Sequence, residues 1–232
     1  MEVPHQDPDI HLAVLDTRFT PKILDTCNRI RQMNTDKPWR NDVIVGLVRR
    51  CYDLQKHLRR GYAESDEHYL AWAARTLLEL KVWTEYVTTS EENLKRFSQD
   101  MYVDANTAFR VGAKATAALD EHPLKAASKK ILDDTKPDLM AKLAAAEVSE
   151  SERYLRPSDV AKQLGLEIEF DIANMTFSKW AHATAQSVLL PVYAEGKPDS
   201  KIGLFLMMGA GNALLVIEKL SDYLKELGFP IV

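Results

Sequence analysis

Apolar residues recur three and four positions apart along most of the chain, the spacing that places side chains on one face of an α-helix. β-branched residues rarely cluster, and helix-start and helix-stop residues such as proline, serine and glycine lie near the ends of the periodic segments. The pattern predicts an all-α, multi-helix bundle of about seven helices, at 21–33, 40–59, 66–88, 91–118, 123–147, 172–190 and 203–226.

One short segment has the alternation of a strand. In Leu166–Phe170, apolar and acidic residues alternate over the whole segment. A single strand has no pairing partner elsewhere in this chain, so we expect an extended link into the sixth helix. The stretch 148–164 is expected to be a long connection. We therefore predict an N-terminal tail over residues 1–20 and a single helical domain over residues 21–232.

Composition narrows the class of protein. With 232 residues, of which 46% are hydrophobic and 28% charged, the chain resembles a soluble globular protein with a sizeable core. Two cysteines, Cys27 and Cys51, cannot form a disulfide framework, which favours a reducing compartment. The first residues lack the pattern of a signal peptide, and the apolar run 202–217 is short for a membrane span and contains Asn212. We expect a cytoplasmic protein without membrane contact.

Charge is uneven although the net charge is only −4. Residues 18–60 contain eleven lysines and arginines but four aspartates. This basic segment is either a surface that faces the phosphates of RNA or a nucleotide, or a solvated helix face whose basic side chains cover the core. Trp39 and Tyr52 are the only tryptophan and tyrosine within it. The segment by itself therefore lacks the interleaved aromatic residues of a base-stacking surface.

The third predicted helix is apolar around most of its circumference, which is typical of a central helix. At 100° per residue, its polar side chains form two groups. One group is a narrow strip expected to face solvent, and it consists of Glu67, Ala74, Lys81 and Glu85. The other lies opposite, within about 40° and flanked by Trp72 and Trp83, and it consists of His68, Arg75, Glu79 and Tyr86. We expect the second group to be sheltered, with Arg75 and Glu79 paired one turn apart.

The sixth predicted helix has a matching feature. Ser178 and His182 are four residues apart and share its inward face. Together with Arg75, Glu79 and His68 they supply a hydroxyl, two imidazoles, a guanidinium and a carboxylate. We predict that these groups converge between two helices, where bundle proteins usually place their sites.

These residues also carry a resemblance. The segment Arg75-Thr76-Leu77-Leu78-Glu79, followed after a long gap by Phe177-Ser178-Lys179-Trp180-Ala181-His182-Ala183-Thr184, resembles an uncharacterised bacterial branch of the HEPN-like all-helical proteins. The resemblance covers about residues 60–195. It implies an all-α bundle, often dimeric, and a metal-independent ribonuclease in stress or phage defence whose partner is RNA or a nucleotide. We expect a homodimer formed through the apolar seventh helix.

Metal-independent RNA cleavage requires a base for the 2′-hydroxyl proton and a cation for the charge that develops on phosphorus. The prediction assigns His182 as base or as a hydrogen-bond donor to the phosphate, Arg75 as cation, Glu79 as the group that orients Arg75, and Ser178 as a hydrogen-bond partner. No zinc-helix, paired-cysteine or phosphate-loop motif is present, so no metal or cofactor is expected.

Two alternatives stay open. HEPN ribonucleases use an Arg followed four to six residues later by His, usually with a polar residue directly after the Arg. The nearest such pair here is Arg50 and His57, which are seven residues apart and have Cys51 after the Arg. The other alternative is a non-enzymatic helical interaction module, in which the same polar residues only specify how the helices pack.

Overall fold

The computed structural model describes residues 20–32, 36–119, 122–182 and 200–228. These residues contain eight helices and no strand, so the prediction of an all-α multi-helix bundle is confirmed. The predicted tail lies outside the described residues apart from Thr20, which begins the first helix. In chain order the helices are α1 (Thr20–Gln32), α2 (Pro38–Ala63), α3 (Glu67–Thr89), α4 (Glu91–Ala117), α5 (Leu124–Ala145), α6 (Pro157–Gln163), α7 (Glu167–Ala181) and α8 (Ser200–Glu226).

The largest differences from the predicted elements lie between residues 148 and 182. The predicted connection contains the short helix α6, and the predicted extended link is the first turn of α7. The alternation at 166–170 is misleading because its apolar residues do not share one buried face: Ile168 is 75% exposed, whereas Phe170 is buried. Phe170 instead belongs to a helical face with Ala173, Phe177 and Trp180, all of which are buried.

The chain divides into two compact units, one formed within residues 1–91 and 157–232 and the other by residues 92–156. In the first unit, α3 is central and contacts α2, α6, α7 and α8. The prediction of a central third helix is correct. The sixth predicted helix, by contrast, corresponds to α7, which buries one face and exposes Ile168, Ile172 and Met175.

The strip of α3 that was expected to face solvent instead packs against α8. Ala74 is fully buried, and a Cβ atom built on Gly209 of α8 would lie 3.2 Å from its Cβ. The two small residues allow the helices to approach closely, so the charged ends of the strip reach partners on α8. These ion pairs are Glu67 with Lys201 at 3.6 Å and Glu85 with Lys219 at 3.0 Å.

The second unit is a helical hairpin formed by α4 and α5. The segment 146–156, which follows α5, is hydrogen-bonded through its backbone to polar side chains of α4. Gln99 donates to the carbonyl of Ala146, and Asn106 donates to the carbonyl of Glu150, each over 2.9 Å. Asp100 accepts a hydrogen bond from the backbone N–H of Leu155. That residues 21–232 form one domain stays a prediction.

Among the described residues, Lys201–Glu226 is the one helical stretch whose length and composition would let it cross a membrane. Core helices of soluble bundles meet the same criterion, and 39% of its most apolar window is buried within this protein. The cytoplasmic location and the absence of membrane contact stay predictions.

Candidate functional site

Two helices of the first unit bring polar side chains to one place. On α3, His68, Trp72, Arg75 and Glu79 follow one another at intervals of four, three and four residues, which places them along one side of the helix. Across from this row, α7 supplies Asn174 and Ser178, and His182 follows directly after the end of this helix. We call the residues Arg75, Glu79, Asn174, Ser178 and His182 the polar cluster.

Arg75 connects the two helices. Its Nη1 group donates a hydrogen bond to Nε2 of His182 over 2.7 Å, and its Nε group donates to Oδ1 of Asn174 over 3.1 Å. The same Nε lies 3.3 Å from Oε1 of Glu79, one turn further along α3. The structure therefore brings all the predicted site residues together, because Ser178 also contacts Asn174. Their catalytic roles stay predictions.

Asn174 is the one member of the polar cluster that sequence reasoning missed. Its Oδ1 accepts hydrogen bonds from Arg75 Nε and from Ser178 Oγ, the latter over 3.2 Å. One carbonyl oxygen can accept both because it has two lone pairs. The signal in the sequence was its position four residues before Ser178, on the same face of the helix. Asn174 therefore links Ser178 to the guanidinium of Arg75.

His182 does not lie on the inward face of a helix, and that prediction was wrong. Helix α7 ends at Ala181, and His182 is the residue that caps it, with extended backbone (φ −120°, ψ 151°) and an exposed side chain. A projection at 100° per residue fails at this position because the helix stops before it. The change in backbone direction places the imidazole at the surface, against Arg75.

The contact with Arg75 requires a particular hydrogen-bonding role of His182. A guanidinium only donates hydrogen bonds, so Nε2 of His182 must accept with its lone pair. The form of the ring that accepts this hydrogen bond is the one that carries its proton on Nδ1. The same lone pair is the one that a general base would use, so a ligand that competes for the Arg75 donor would release it.

His68 fixes the end of α7. Its Nδ1 lies 2.6 Å from the backbone carbonyl oxygen of Trp180. This carbonyl is one of the last in the helix, which have no partner within the helix itself. A hydrogen bond from His68 satisfies it and ties the last turn of α7 to α3, two residues before His182. His68 is thus a positioning residue rather than a member of the polar cluster.

The polar cluster is sheltered but open to water. The side chains of Arg75 and Glu79 are 27% and 28% exposed. Burial raises the pKa of the Glu79 carboxyl, and the positive charge of Arg75 acts in the opposite direction. A partly desolvated guanidinium beside an exposed imidazole suits an anion such as phosphate. Within the described ranges, no three His, Cys, Asp or Glu residues are placed to hold a metal ion.

The alternative pair lies on α2, two turns apart. Nδ1 of His57 is hydrogen-bonded to the hydroxyl of Tyr69, and its ring contacts Trp72. Arg50 is exposed. His57 thus packs against aromatic residues of α3. The described contacts include none between His57 and Arg50.

Several cations of the basic segment are exposed where the structure describes it. Its exposed cations on α1 and α2 include Arg29, Arg31, Arg49, Lys56 and Arg60. Two of them have acidic neighbours, Lys56 with Asp53 at 3.4 Å and Arg60 with Glu64 at 2.9 Å. Ion pairs this exposed contribute little to stability.

No family model matches the chain, and no curated protein or solved structure is significantly similar to it. The HEPN-like resemblance therefore depends on the residues of the chain itself, at 75–79 and 177–184. Ala183 and Thr184, the last two residues of the second segment, lie outside the described residues.

Proposed function

We propose that the protein is an HEPN-like protein that binds RNA at the polar cluster and cleaves it without a metal ion. The observation that carries this proposal is the 2.7 Å contact between Arg75 Nη1 and the exposed His182. A cation and a candidate base from distant parts of the chain meet there. Asn174 and Glu79 contact Arg75 at its Nε, whereas His182 is contacted by Nη1, a different nitrogen of the same guanidinium.

The contacts suggest an order of events. A phosphate of the RNA takes the Nη1 donor of Arg75, and this releases the Nε2 lone pair of His182. That lone pair accepts the proton of the adjacent 2′-hydroxyl. The 2′-oxygen attacks phosphorus, the bond to the 5′-oxygen breaks, and the leaving oxygen takes a proton from water, which in turn takes back the proton held by His182. Arg75 stabilises the negative charge that develops on the phosphate oxygens. The products are a 2′,3′-cyclic phosphate and a 5′-hydroxyl.

The test is cleavage of an end-labelled single-stranded RNA in the presence of EDTA. We expect the wild-type protein to produce 2′,3′-cyclic phosphate ends, and His182→Ala and Arg75→Ala each to slow cleavage by about 100-fold or more. Matched controls are His122→Ala and Arg110→Ala, which remove an exposed imidazole and an exposed guanidinium from the other unit. These controls should cleave at the wild-type rate.

The outcomes separate binding from catalysis. If the wild-type protein binds RNA but does not cleave it, and Arg75→Ala abolishes binding, then the nuclease step is wrong and RNA binding is retained. If the wild-type protein neither binds nor cleaves RNA, the proposal as a whole is wrong. Equal losses in the His122→Ala and Arg110→Ala controls would also contradict a specific role for the polar cluster.

A second candidate is the non-enzymatic interaction module. The hydrogen bonds from Arg75 and Ser178 to Asn174 are what a network that fixes the register of α3 against α7 would contain. In that case Arg75→Ala should mainly lower the melting temperature. In the nuclease proposal the fold is largely kept while activity is lost, so thermal denaturation of the same variant distinguishes the two.

A cytoplasmic homodimer is part of the same proposal. Helix α8 exposes Leu204, Met207 and Leu215 along one stripe, with Gly211 between the last two. Antiparallel pairing of two copies centred on Gly211 would place Met207 of one copy against Leu215 of the other, because the two residues are equally far from residue 211. Sedimentation velocity should show a dimer that Met207→Glu converts to a monomer. A monomeric wild-type protein would contradict this part of the proposal.

A further inference from the structure

Three ring side chains form a compact group between α2 and α3, and we call this group the aromatic platform. Tyr69 and Trp72 of α3 are stacked, with ring centroids 5.6 Å apart and an angle of 24° between their planes. His57 of α2 meets both rings edge-on, at 5.6 Å from Tyr69 and 5.3 Å from Trp72. Despite these contacts, 36% of Trp72 stays exposed.

The platform is held in place by polar contacts on the side of Tyr69. The Tyr69 hydroxyl is hydrogen-bonded to Nδ1 of His57, and the Arg60 guanidinium lies 5.6 Å from the centroid of the Tyr69 ring. Arg60 thus places a cation at the Tyr69 ring, and Tyr69 is itself stacked on Trp72. Trp72 keeps exposed surface for a further planar group, and these contacts reduce the cost of ordering its side chain on binding.

The platform adjoins the polar cluster. Trp72 precedes Arg75 by three residues on α3, and side chains at this spacing are neighbours, with Cβ atoms about 5–6 Å apart. In a nucleotide, only the sugar separates the base from its phosphate. A phosphate bound by Arg75 and His182 would therefore bring a base of the same strand within reach of Trp72.

We propose that the aromatic platform is a stacking subsite for a nucleobase of single-stranded RNA, with Trp72 as the residue that contacts the base. This inference rests on the proposed function, because it takes the polar cluster as the phosphate site. It also changes the interpretation of the basic segment. That segment contains few aromatic residues of its own, but the fold places Tyr69 and Trp72 of α3 beside its residues His57 and Arg60. Cations and aromatic rings are thus interleaved in space, as in proteins that bind single strands.

Fluorescence anisotropy with two labelled strands tests the subsite. One strand is a 2′-O-methyl RNA, which cannot be cleaved, and the other is an abasic strand of the same length, which keeps the phosphates but has no bases. We expect Trp72→Ala to weaken binding of the RNA by about 10-fold, the effect of losing one stacked base, and to leave the abasic strand unaffected. Trp72→Phe should retain most of the affinity, and Arg75→Ala should weaken binding of both strands.

Tyr154→Ala is the matched control. Tyr154 is 42% exposed and has the Arg156 guanidinium 5.7 Å from its ring centroid, so it resembles the platform in chemistry but belongs to the other unit. We expect it to bind both strands as the wild-type protein does. Melting curves followed by circular dichroism confirm that each variant is folded.

The possible results are distinguishable. If Trp72→Ala binds both strands normally while Arg75→Ala does not, the stacking subsite is wrong and the proposed function stands. If Trp72→Ala weakens both strands equally, Trp72 supports the phosphate site rather than a base, and the inference is again wrong. If the wild-type protein binds neither strand, the proposed function fails and the stacking subsite fails with it.

Discussion

The two compact units hold their helices together in different ways. In the first unit, large apolar side chains are fully buried around α3, among them Leu54, Leu58, Leu77, Phe177 and Phe205. In the second, few residues are buried on α4 and α5, and one of those is the polar Asn106. In this unit, hydrogen bonds join side chains of α4 to the backbone of residues 146–155.

This difference explains why the candidate site lies in the first unit. A polar cluster needs neighbours whose positions are determined by other interactions, since functional groups must be held within narrow limits. The apolar core around α3 supplies that support. Hydrogen bonds to water-accessible backbone contribute less, because water can replace either partner.

The comparison of the two units is tested most strongly by truncating a buried side chain of α3. We expect Leu77→Ala, at a fully buried position, to reduce the free energy of unfolding by about 3 kcal/mol, because it removes apolar contacts and leaves a cavity. Urea denaturation measures the change. Met175→Ala, at an exposed position on α7, should change stability by less than about 0.5 kcal/mol. Similar losses for the two variants would show that burial around α3 does not dominate the stability of this unit.

A substitution at the contact between α8 and α3 should have the next largest effect. A Cβ at Gly209 would lie 2.8 Å from Cδ2 of Leu58, so Gly209→Val should cost about 2 kcal/mol through overpacking. Gly203→Val is the control on the same helix, because a Cβ there meets nothing within 4 Å. Equal melting temperatures for the two variants would contradict the close approach of these helices.

In the second unit, the corresponding variant removes a hydrogen bond. We expect Asn106→Ala to cost about 1 kcal/mol, because the buried amide that donates to the carbonyl of Glu150 is lost. Hydrogen exchange should become faster at the backbone amides of residues 149–155. Thr107→Ala, which removes a bond only within α4, should leave that exchange unchanged. If exchange in the segment is unaffected by Asn106→Ala, other contacts hold it.

The smallest expected effect is the dependence of stability on pH that Glu79 contributes. Because the pKa of Glu79 is raised in the folded protein, its protonated form favours folding, and this contribution is lost as pH rises from the unfolded value of 4.5 through the folded value. Relative to Glu79→Gln, the wild-type protein should therefore be more stable at about pH 4 than at about pH 7. Urea denaturation at both pH values checks the sign.

Glu147→Gln provides a control of opposite sign. Lys95 lowers the pKa of Glu147, so the contribution of this carboxylate is present above the unfolded pKa and is lost as pH falls through the folded pKa. The wild-type protein should lose stability relative to this variant on acidification. The same trend in both variants would mean that burial does not control the titration of Glu79.

Several features were predictable because they are local. Apolar spacing of three and four residues is a property of one helix, and it predicted seven of the eight described helices, all but the short α6, with most ends correct to within a few residues. The pairing of Arg75 with Glu79 is local in the same sense, since one helical turn brings them together. The prediction of an extended segment at 166–170 was wrong because five residues can fit both the strand periodicity and the helix periodicity. Only the burial of Phe170 with the other apolar residues of α7 distinguishes the two.

The amino-acid sequence by itself determined that this chain forms helices, and which side chains share a face on each of them, because both properties follow from the geometry of a single helix. Tertiary structure alone decided that Arg75 meets Asn174 and His182, and that Tyr69 and Trp72 lie beside His57. Those contacts depend on how α2, α3 and α7 pack and on α7 ending at Ala181. No spacing along the chain encodes these contacts, because they arise from the packing of residues far apart in sequence.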